Sequence, residues 1–328
     1  MNLQDLKGKG LLIHHWDADG ICSARLLLNA LNGKTIVNTT PHLGNYYLTP
    51  EELEEYKHYD FIIIADMALP EDNIKILSEH AQILIFDHHL QPENTTVFHH
   101  NPVIKGENPD EYPSASWIVN EFLGEQINLF ALLGVIGDHE KRIRNNLYIY
   151  PAIEQYCEDH HLSFDDLLHM VYLLDSNYKL GERHAVIQAP RYLLEHGSPQ
   201  DILKHKQWQA NLTTLNQEIN RQLLQPDDEI NDLIVKIIHT PYNIISTITR
   251  KVAWESGKNA LVINTGYFDD KDQVYMRSHK TAEPMIKRGK DLGFKCGGKK
   301  EVLGAIVPKE KTDSFVDELK SYVLQKGG

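Results

Sequence analysis

Four short apolar runs punctuate the first 90 residues, and three of them lead straight into acidic side chains. They are GLLIHH at 10–15, KTIVNTT at 34–40, DFIIIADM at 60–67 and AQILIFDHH at 81–89. Runs of this length, rich in Ile, Leu and Val, read as strands buried on both faces. Between them lie helical patterns: ICSARLLLNALNG, closed by Gly33, and PEDNIKILSEH, opened by Pro70 and acidic residues. Strands alternating with helices predict an α/β fold, a mostly parallel sheet with helices on both faces. Ligands bind such sheets beyond the carboxyl ends of the strands. Asp17 and Asp19 follow the first run, Asp66 ends the third and Asp87 the fourth, so carboxylates distant in sequence can converge.

From Ser114 the pattern turns helical. SASWIVNEFLG has a Ser start and a Gly stop, and INLFALLGVIGDHEKR ends near Asp138. Residues 151–224 read as mostly helical, and QPDDEIND at 225–232 is turn-rich and acidic. Beyond it LIVKIIHT, NALVINTG and QVYMRSH read as strands, and NIISTITRKVAWESG and SFVDELKSYVLQKGG as helices. The expected divisions are residues 1–195, a helical connector at 196–227, and a smaller α/β domain at 228–328. A chain of 328 residues is long enough for two cores. No run approaches the roughly 20 apolar residues of a membrane span, and MNLQDLKGKG lacks the apolar core of a signal peptide. Cys22, Cys157 and Cys296 are odd in number, far apart and outside any CxxC pattern, as free thiols in a reducing compartment would be. A cytoplasmic protein with no membrane partner is expected. The net charge of -13, from 33 basic and 46 acidic residues, argues against a broad basic surface for long duplex DNA. It suits a short anionic substrate steered by a local basic patch, or a partner that supplies nucleic-acid affinity. An Asp-rich metal centre would add acidity that bound cations cancel.

His15-Trp16-Asp17-Ala18-Asp19-Gly20 puts an imidazole and two carboxylates on one short stretch. If that stretch is extended, alternate side chains share a side, and Gly20 permits a sharp entry into the next helix. Asp87-His88-His89 repeats the mix of oxygen and nitrogen donors, which suits Mn²⁺ or a neighbouring first-row metal better than Ca²⁺. A lone Asp after a strand is usually a cap or turn residue, and Asp66 or Asp138 alone would be so read. Acidic and imidazole groups at a strand end must be hydrated, paired or metal-bound. All four clusters together read as a metal centre. His14 is expected to point into packing, whereas Trp16 could stack on a base or pack on the next helix. His99 and His100 read as surface or strand residues.

These motifs, in this order and at these separations, resemble those of the DHH phosphoesterase superfamily, named for the Asp-His-His triplet found here at 87–89. HWDADG is similar to its first motif in the form found in RecJ-like nucleases, especially archaeal ones; FIIIADM is similar to its second and GVIGDH to its fourth. The C-terminal part resembles the DHHA1 domain: YMRSH at 275–279 is similar to its Arg-Ser strand, and CGGKKEVLGA at 296–305 to its GGGHxxAAGA motif. Cys296 stands for a Gly, Lys299 for the His, and Val302 and Leu303 for two Ala. The resemblance implies a DHH catalytic domain, a DHHA1-like substrate-binding domain, and two Mn²⁺ or Mg²⁺ ions between them. His15, Asp17 and Asp66 would hold the first ion; Asp19, Asp66, His88 and Asp138 the second, with Asp66 bridging. Asp87 would orient an imidazole, and His89, with His139, would contact the scissile phosphate. Arg277, Ser278, Lys299 and the Gly297-Gly298 backbone would hold a non-scissile phosphate or terminal nucleotide. The implied activity is a RecJ-like single-strand exonuclease or oligonucleotide hydrolase that releases mononucleotides from short DNA or RNA, alongside a helicase, primase or other replication or repair protein. The alternatives are a small-molecule phosphoesterase acting on a bisphosphorylated nucleotide, cyclic dinucleotide or pyrophosphate, and a non-catalytic scaffold of a replication or repair complex.

Overall fold

The computed structural model describes residues 1–325. The apolar runs become Gly10–His14 (β1), Ile36–Thr39 (β2), Phe61–Ala65 (β3) and Gln82–Phe86 (β4), joined by Phe98–His100 (β5). They form one sheet in the order β2-β1-β3-β4-β5, with every neighbouring pair parallel. All five residues of β1 and of β3 are buried, as a sheet covered on both faces requires. The register sets His14, Ala65, Phe86 and His100 in one row. Backbone bonds carry the ladder one step further, from His15 to Ala65, Asp66 to Phe86 and Asp87 to His100. The polar residues after β1, β3 and β4 are therefore aligned by the same bonds that pair the strands.

The helices of this part are Ala18–Ala30 (α1), Pro50–Tyr56 (α2), Glu71–Ser78 (α3), Ala115–Leu123 (α4), Leu129–His139 (α5), Tyr150–His160 (α6), Phe164–Lys179 (α7), Arg183–Glu195 (α8), Pro199–Leu203 (α9) and Lys206–Leu223 (α10). Helix α4 has the expected Ser114 cap and ends in left-handed Gly124. Two differences from the sequence expectation stand out. Helix α1 begins at Ala18 rather than Ile21, because Asp17 caps it by accepting the Gly20 amide. His15, Asp17 and Asp19 thus do not share an extended stretch, and Gly20 lies within the helix instead of at its entry. Helix α2 is marked by Thr49-Pro50-Glu51-Glu52, where Thr49 and Glu52 close a reciprocal capping box.

The chain divides into two compact units, Met1–Leu212 and Thr213–Gly328. The second contains Asp228–Ile230 (β6), Leu233–Ile238 (β7), Ile245–Ser256 (α11), Asn259–Asn264 (β8), Lys271–Arg277 (β9), Glu283–Asp291 (α12), Lys295–Lys299 (β10), Val302–Pro308 (β11) and Lys309–Leu324 (α13). Its sheet runs β10-β11-β9-β8-β7-β6, with β7 and β8 parallel and the other pairs antiparallel. Gly297 and Gly298 lie inside β10, opposite Gly304 and Leu303, not in a connecting turn. A side chain on Gly298 would come within 1.9 Å of the Val302 carbonyl oxygen, so only glycine lets β10 and β11 close here.

Lys236 on β7 is fully buried. Its ammonium donates to the Gln225 carbonyl at 2.6 Å and lies 2.5 Å from Asp227. A longer contact, 3.4 Å, reaches the carbonyl of Leu223, the last residue of α10. One cation thus satisfies both a helix end and the acidic stretch after it. Lys236→Met is expected to destabilise the chain by about 1–3 kcal/mol, read as a lower denaturation midpoint with an unchanged m-value.

Candidate metal centre

Beyond the strand ends, acidic and imidazole atoms gather in three overlapping groups, each with all its ligand atoms within 4.8 Å of one another: His15, Asp17 and Asp66; Asp19, His88 and Asp138; and Asp66, Asp87, His88 and His89. Asp66 and His88 each belong to two groups and link the three. His15 and His88 follow β1 and β4, Asp17 and Asp19 come from the start of α1, and Asp138 from the last turn of α5. Asp66 follows β3 with φ of 59°, a left-handed conformation that costs a non-glycine residue energy and that Asp tolerates better than most. The turn is held because the Asp66 amide still donates to the Phe86 carbonyl at 2.9 Å.

Donor atoms meet here without satisfying one another. His15 Nδ1 lies 2.9 Å from Asp17 Oδ2 and 3.6 Å from Asp66 Oδ2. His88 Nε2 lies 3.1 Å from Asp138 Oδ2 and 3.6 Å from Asp66 Oδ1. Yet His15 Nδ1, His15 Nε2 and His88 Nε2 are all buried and lack an aligned hydrogen-bond partner. Burial, together with the charges of Asp19 and Asp17, pushes the Asp66 carboxyl well above the ordinary carboxylate range. Burial and the charge of Asp138 also raise Asp19. Burial disfavours a charged His88, but Asp138 and Asp66 outweigh it and hold that imidazole well above its usual range. Asp17 is lowered because His15 beside it overcomes the cost of burial. The three groups set five carboxylates against three imidazoles, an excess of acidic groups at a largely buried site. Oxygen and nitrogen donors in this ratio fit divalent first-row cations.

Surrounding residues fix the donors. Asp19 is fully buried, and its two oxygens accept the Ala115 and Ser116 amides at 2.7 and 2.9 Å, so it caps α4 while facing the centre. The Ala18 amide donates to buried Asp175 at 2.9 Å, and Lys179 pairs with the same carboxylate at 3.0 Å. Asp87 accepts the His88 and His89 amides and the Gln91 side chain, and holds His89 Nδ1 at 2.7 Å. These bonds lower its carboxyl despite complete burial. With Nδ1 so held, His89 turns its other nitrogen away from Asp87, and its side chain remains 42% exposed. Asn101, one step past β5, donates to the His89 carbonyl. His14 is buried and neutral, its pKa pulled down to about 4 by burial, with Nδ1 on the His15 carbonyl.

The other expected residues are differently placed. His139 Nε2 is 3.0 Å from the Pro113 carbonyl, and His139 is not part of the three groups. Arg277 ends β9, with its guanidinium 5.7 Å from the Trp254 ring centroid. Ser278 is buried, and its hydroxyl accepts the Lys280 amide, which commits it to a turn. Gly297 and Gly298 are exposed along β10, and the Lys299 side chain lies outside the described residues. Sequence reasoning missed Asp175, Ser116, Gln91 and Gly134. Only Gln91, two residues after the triplet, had a local cue.

Residues 10–148 match the DHH family, N-terminal domain. The match covers less than half of the chain and includes every residue of the three donor groups. No curated protein matches the sequence. Among solved structures, an exonuclease RecJ bound to manganese is similar with a TM-score of 0.66 at 17% identity, over 97% of this chain and 91% of that one. RecJ from Thermus thermophilus in complex with Mn²⁺ gives 0.70 at 17% identity, over 97% of this chain but only 52% of that one. A pGpG-specific phosphodiesterase from Vibrio cholerae gives 0.56 at 15% identity, over 98% and 100%. At these identities the likeness is one of fold. The Asp87-His88-His89 triplet thus sits in the fold these structures share, among clustered Asp and His residues able to hold divalent cations.

Gly134 on α5 is what lets that helix come against Asp19. A Cβ there would lie 2.2 Å from Asp19 Oδ1 and 2.0 Å from Ser116 Oγ. Neither atom can yield freely, because Asp19 is clamped by two amides and Ser116 Oγ bonds Ser114 and the Ala131 carbonyl. Gly134→Ala should cost about 1–3 kcal/mol of stability and weaken Mn²⁺ binding. Calorimetric titration and thermal melts of the two proteins check both effects.

Proposed function

We propose that the chain is a metal-dependent phosphodiesterase that releases mononucleotides from short single-stranded DNA or RNA, as a RecJ-like exonuclease or oligonucleotide hydrolase. The observation that carries this reading is the convergence of the donor groups on Asp66 and His88. In this reading His15, Asp17 and Asp66 hold one cation, and Asp19, Asp66, His88 and Asp138 a second. Mn²⁺ is favoured and Mg²⁺ is the alternative, the ions bound by the RecJ structures of similar fold. When bound, such a pair lowers the pKa of a shared water and neutralises charge on the phosphoryl oxygens. Asp87 orients His89 through Nδ1, and Gln91 fixes Asp87. His89 then presents its other nitrogen to the scissile phosphate. His139 is proposed to assist it only if it leaves the Pro113 carbonyl. Arg277, Gly297, Gly298 and Lys299, with Ser278 shaping their turn, would hold a phosphate remote from the reaction, Arg277 by its two-pronged guanidinium. Residues 1–195 would act as the catalytic domain, 196–227 as connector and 228–328 as substrate-binding domain. The acidic balance favours a helicase, primase or other replication or repair protein as partner in the cytoplasm. Among the described residues no helix is long and apolar enough to cross a membrane.

A second reading, hydrolysis of a linear dinucleotide, is favoured by the fold shared with the pGpG-specific enzyme along its whole length. A panel of end-labelled DNA and RNA oligonucleotides of graded length, down to dinucleotides, with Mn²⁺ separates the two. Mononucleotides from strands of several residues, abolished by chelation, support the first. Turnover of dinucleotides alone selects the second, and turnover of pyrophosphate alone removes both. Asp66→Ala should lose at least about a hundredfold in kcat, because it removes a group serving both ions. Arg277→Ala should raise KM with kcat little changed. Steady-state kinetics on the best oligonucleotide measure both.

A further inference from the structure

One exposed aromatic side chain stands at the rim of the metal centre. Tyr46 lies in the loop between β2 and α2, and its ring stacks on His15 with centroids 5.7 Å apart and planes 29° apart. It also meets Trp16 edge-on at 5.1 Å. Trp16 is only 3% exposed, so it is packed and closed to a base, whereas Tyr46 is 58% exposed. The loop that carries Tyr46 is anchored on both sides. Pro41 is buried, the Asn45 amide donates to the His42 carbonyl at 2.8 Å, and the amide of buried Leu48 donates to Asn73 Oδ1 at 2.8 Å. Thr49 then caps α2. A tyrosine so presented has few torsions left to freeze when a ligand lands on it.

We infer that Tyr46 is the stacking platform for the nucleobase next to the phosphate bound at the metal centre. This rests on the nucleic-acid reading of the site and adds a specificity element to it. The sheet order β2-β1-β3-β4 places the Tyr46 loop and His89 on opposite flanks of His15 and Asp66. A nucleotide whose phosphate sits between them has its base one sugar away, on the flank where Tyr46 is exposed. Stacking requires only a π-face, so the platform accepts any base and discriminates nucleotides from base-free phosphates.

The test is equilibrium binding of adenosine 5′-monophosphate and of ribose 5-phosphate to the full-length chain in Mn²⁺, for wild type, Tyr46→Phe and Tyr46→Ala. Thermal melts confirm that each variant is folded. Wild type and Tyr46→Phe should prefer the nucleotide by roughly tenfold or more, and Tyr46→Ala should lose that preference while binding ribose 5-phosphate unchanged. Equal binding of the two ligands by wild type, a preference that survives in Tyr46→Ala, or equal loss of both ligands in that variant would overturn the inference. A Tyr46-dependent preference in a protein that cleaves no oligonucleotide would uphold it and refute the nuclease reading instead.

Discussion

Excess negative charge in a buried volume is the constraint on which the first unit depends. Asp17, Asp19, Asp66 and Asp138 converge, with His15, His88 and His89 as imidazole neighbours. Carboxylates packed this closely cannot all stay ionised without cations, and burial makes the conflict sharper. The direction in which Asp66 and Asp19 are displaced, toward the protonated form, records that conflict. Divalent cations, which this mix of oxygen and nitrogen donors can hold, would resolve it.

The sheet solves the geometric half of the problem. Parallel pairing sets the ends of β1, β3 and β4 side by side, so His15, Asp66 and Asp87 leave the sheet in one row. Helix termini complete the set from outside. Asp17 caps α1, Asp19 caps α4 from within α1, and Asp138 closes α5. Asp19 therefore belongs both to the packing of α4 and to a donor group: removing its carboxylate would leave two buried amides of α4 unpaired and take one donor from the group with His88 and Asp138. The left-handed backbone at Asp66 is a further cost accepted at the point where two donor groups meet.

Much of this was legible in the sequence because strand ends are local features. Apolar runs that stop at Asp or His announce both a parallel sheet and its polar edge, and β1, β3 and β4 lie where those runs are. The geometry of the HWDADG stretch was not legible, because one capping bond, from the Gly20 amide to Asp17, starts α1 early and puts Asp19 in a helix. Gly134, Ser116 and Asp175 left no trace in the sequence, since each matters through an approach between segments far apart in the chain. The β10 glycines were readable only as backbone open to a phosphate, because their packing role depends on the opposite strand. Strand β5 has no apolar run to mark it, since its alternate residues are only half-buried at the sheet edge.

The second unit contributes a mixed sheet with its own core, fixed at its start by the buried Lys236 ammonium. Arg277 ends β9 and the exposed glycines lie along β10, whereas the clustered donor groups lie in the first unit. Anomalous diffraction from crystals grown in Mn²⁺ addresses that centre directly. A shared site requires two manganese peaks about 4 Å apart, both within bonding distance of Asp66, one flanked by His15 and Asp17, the other by Asp19, His88 and Asp138. A single peak, or a pair that does not touch Asp66, would contradict it.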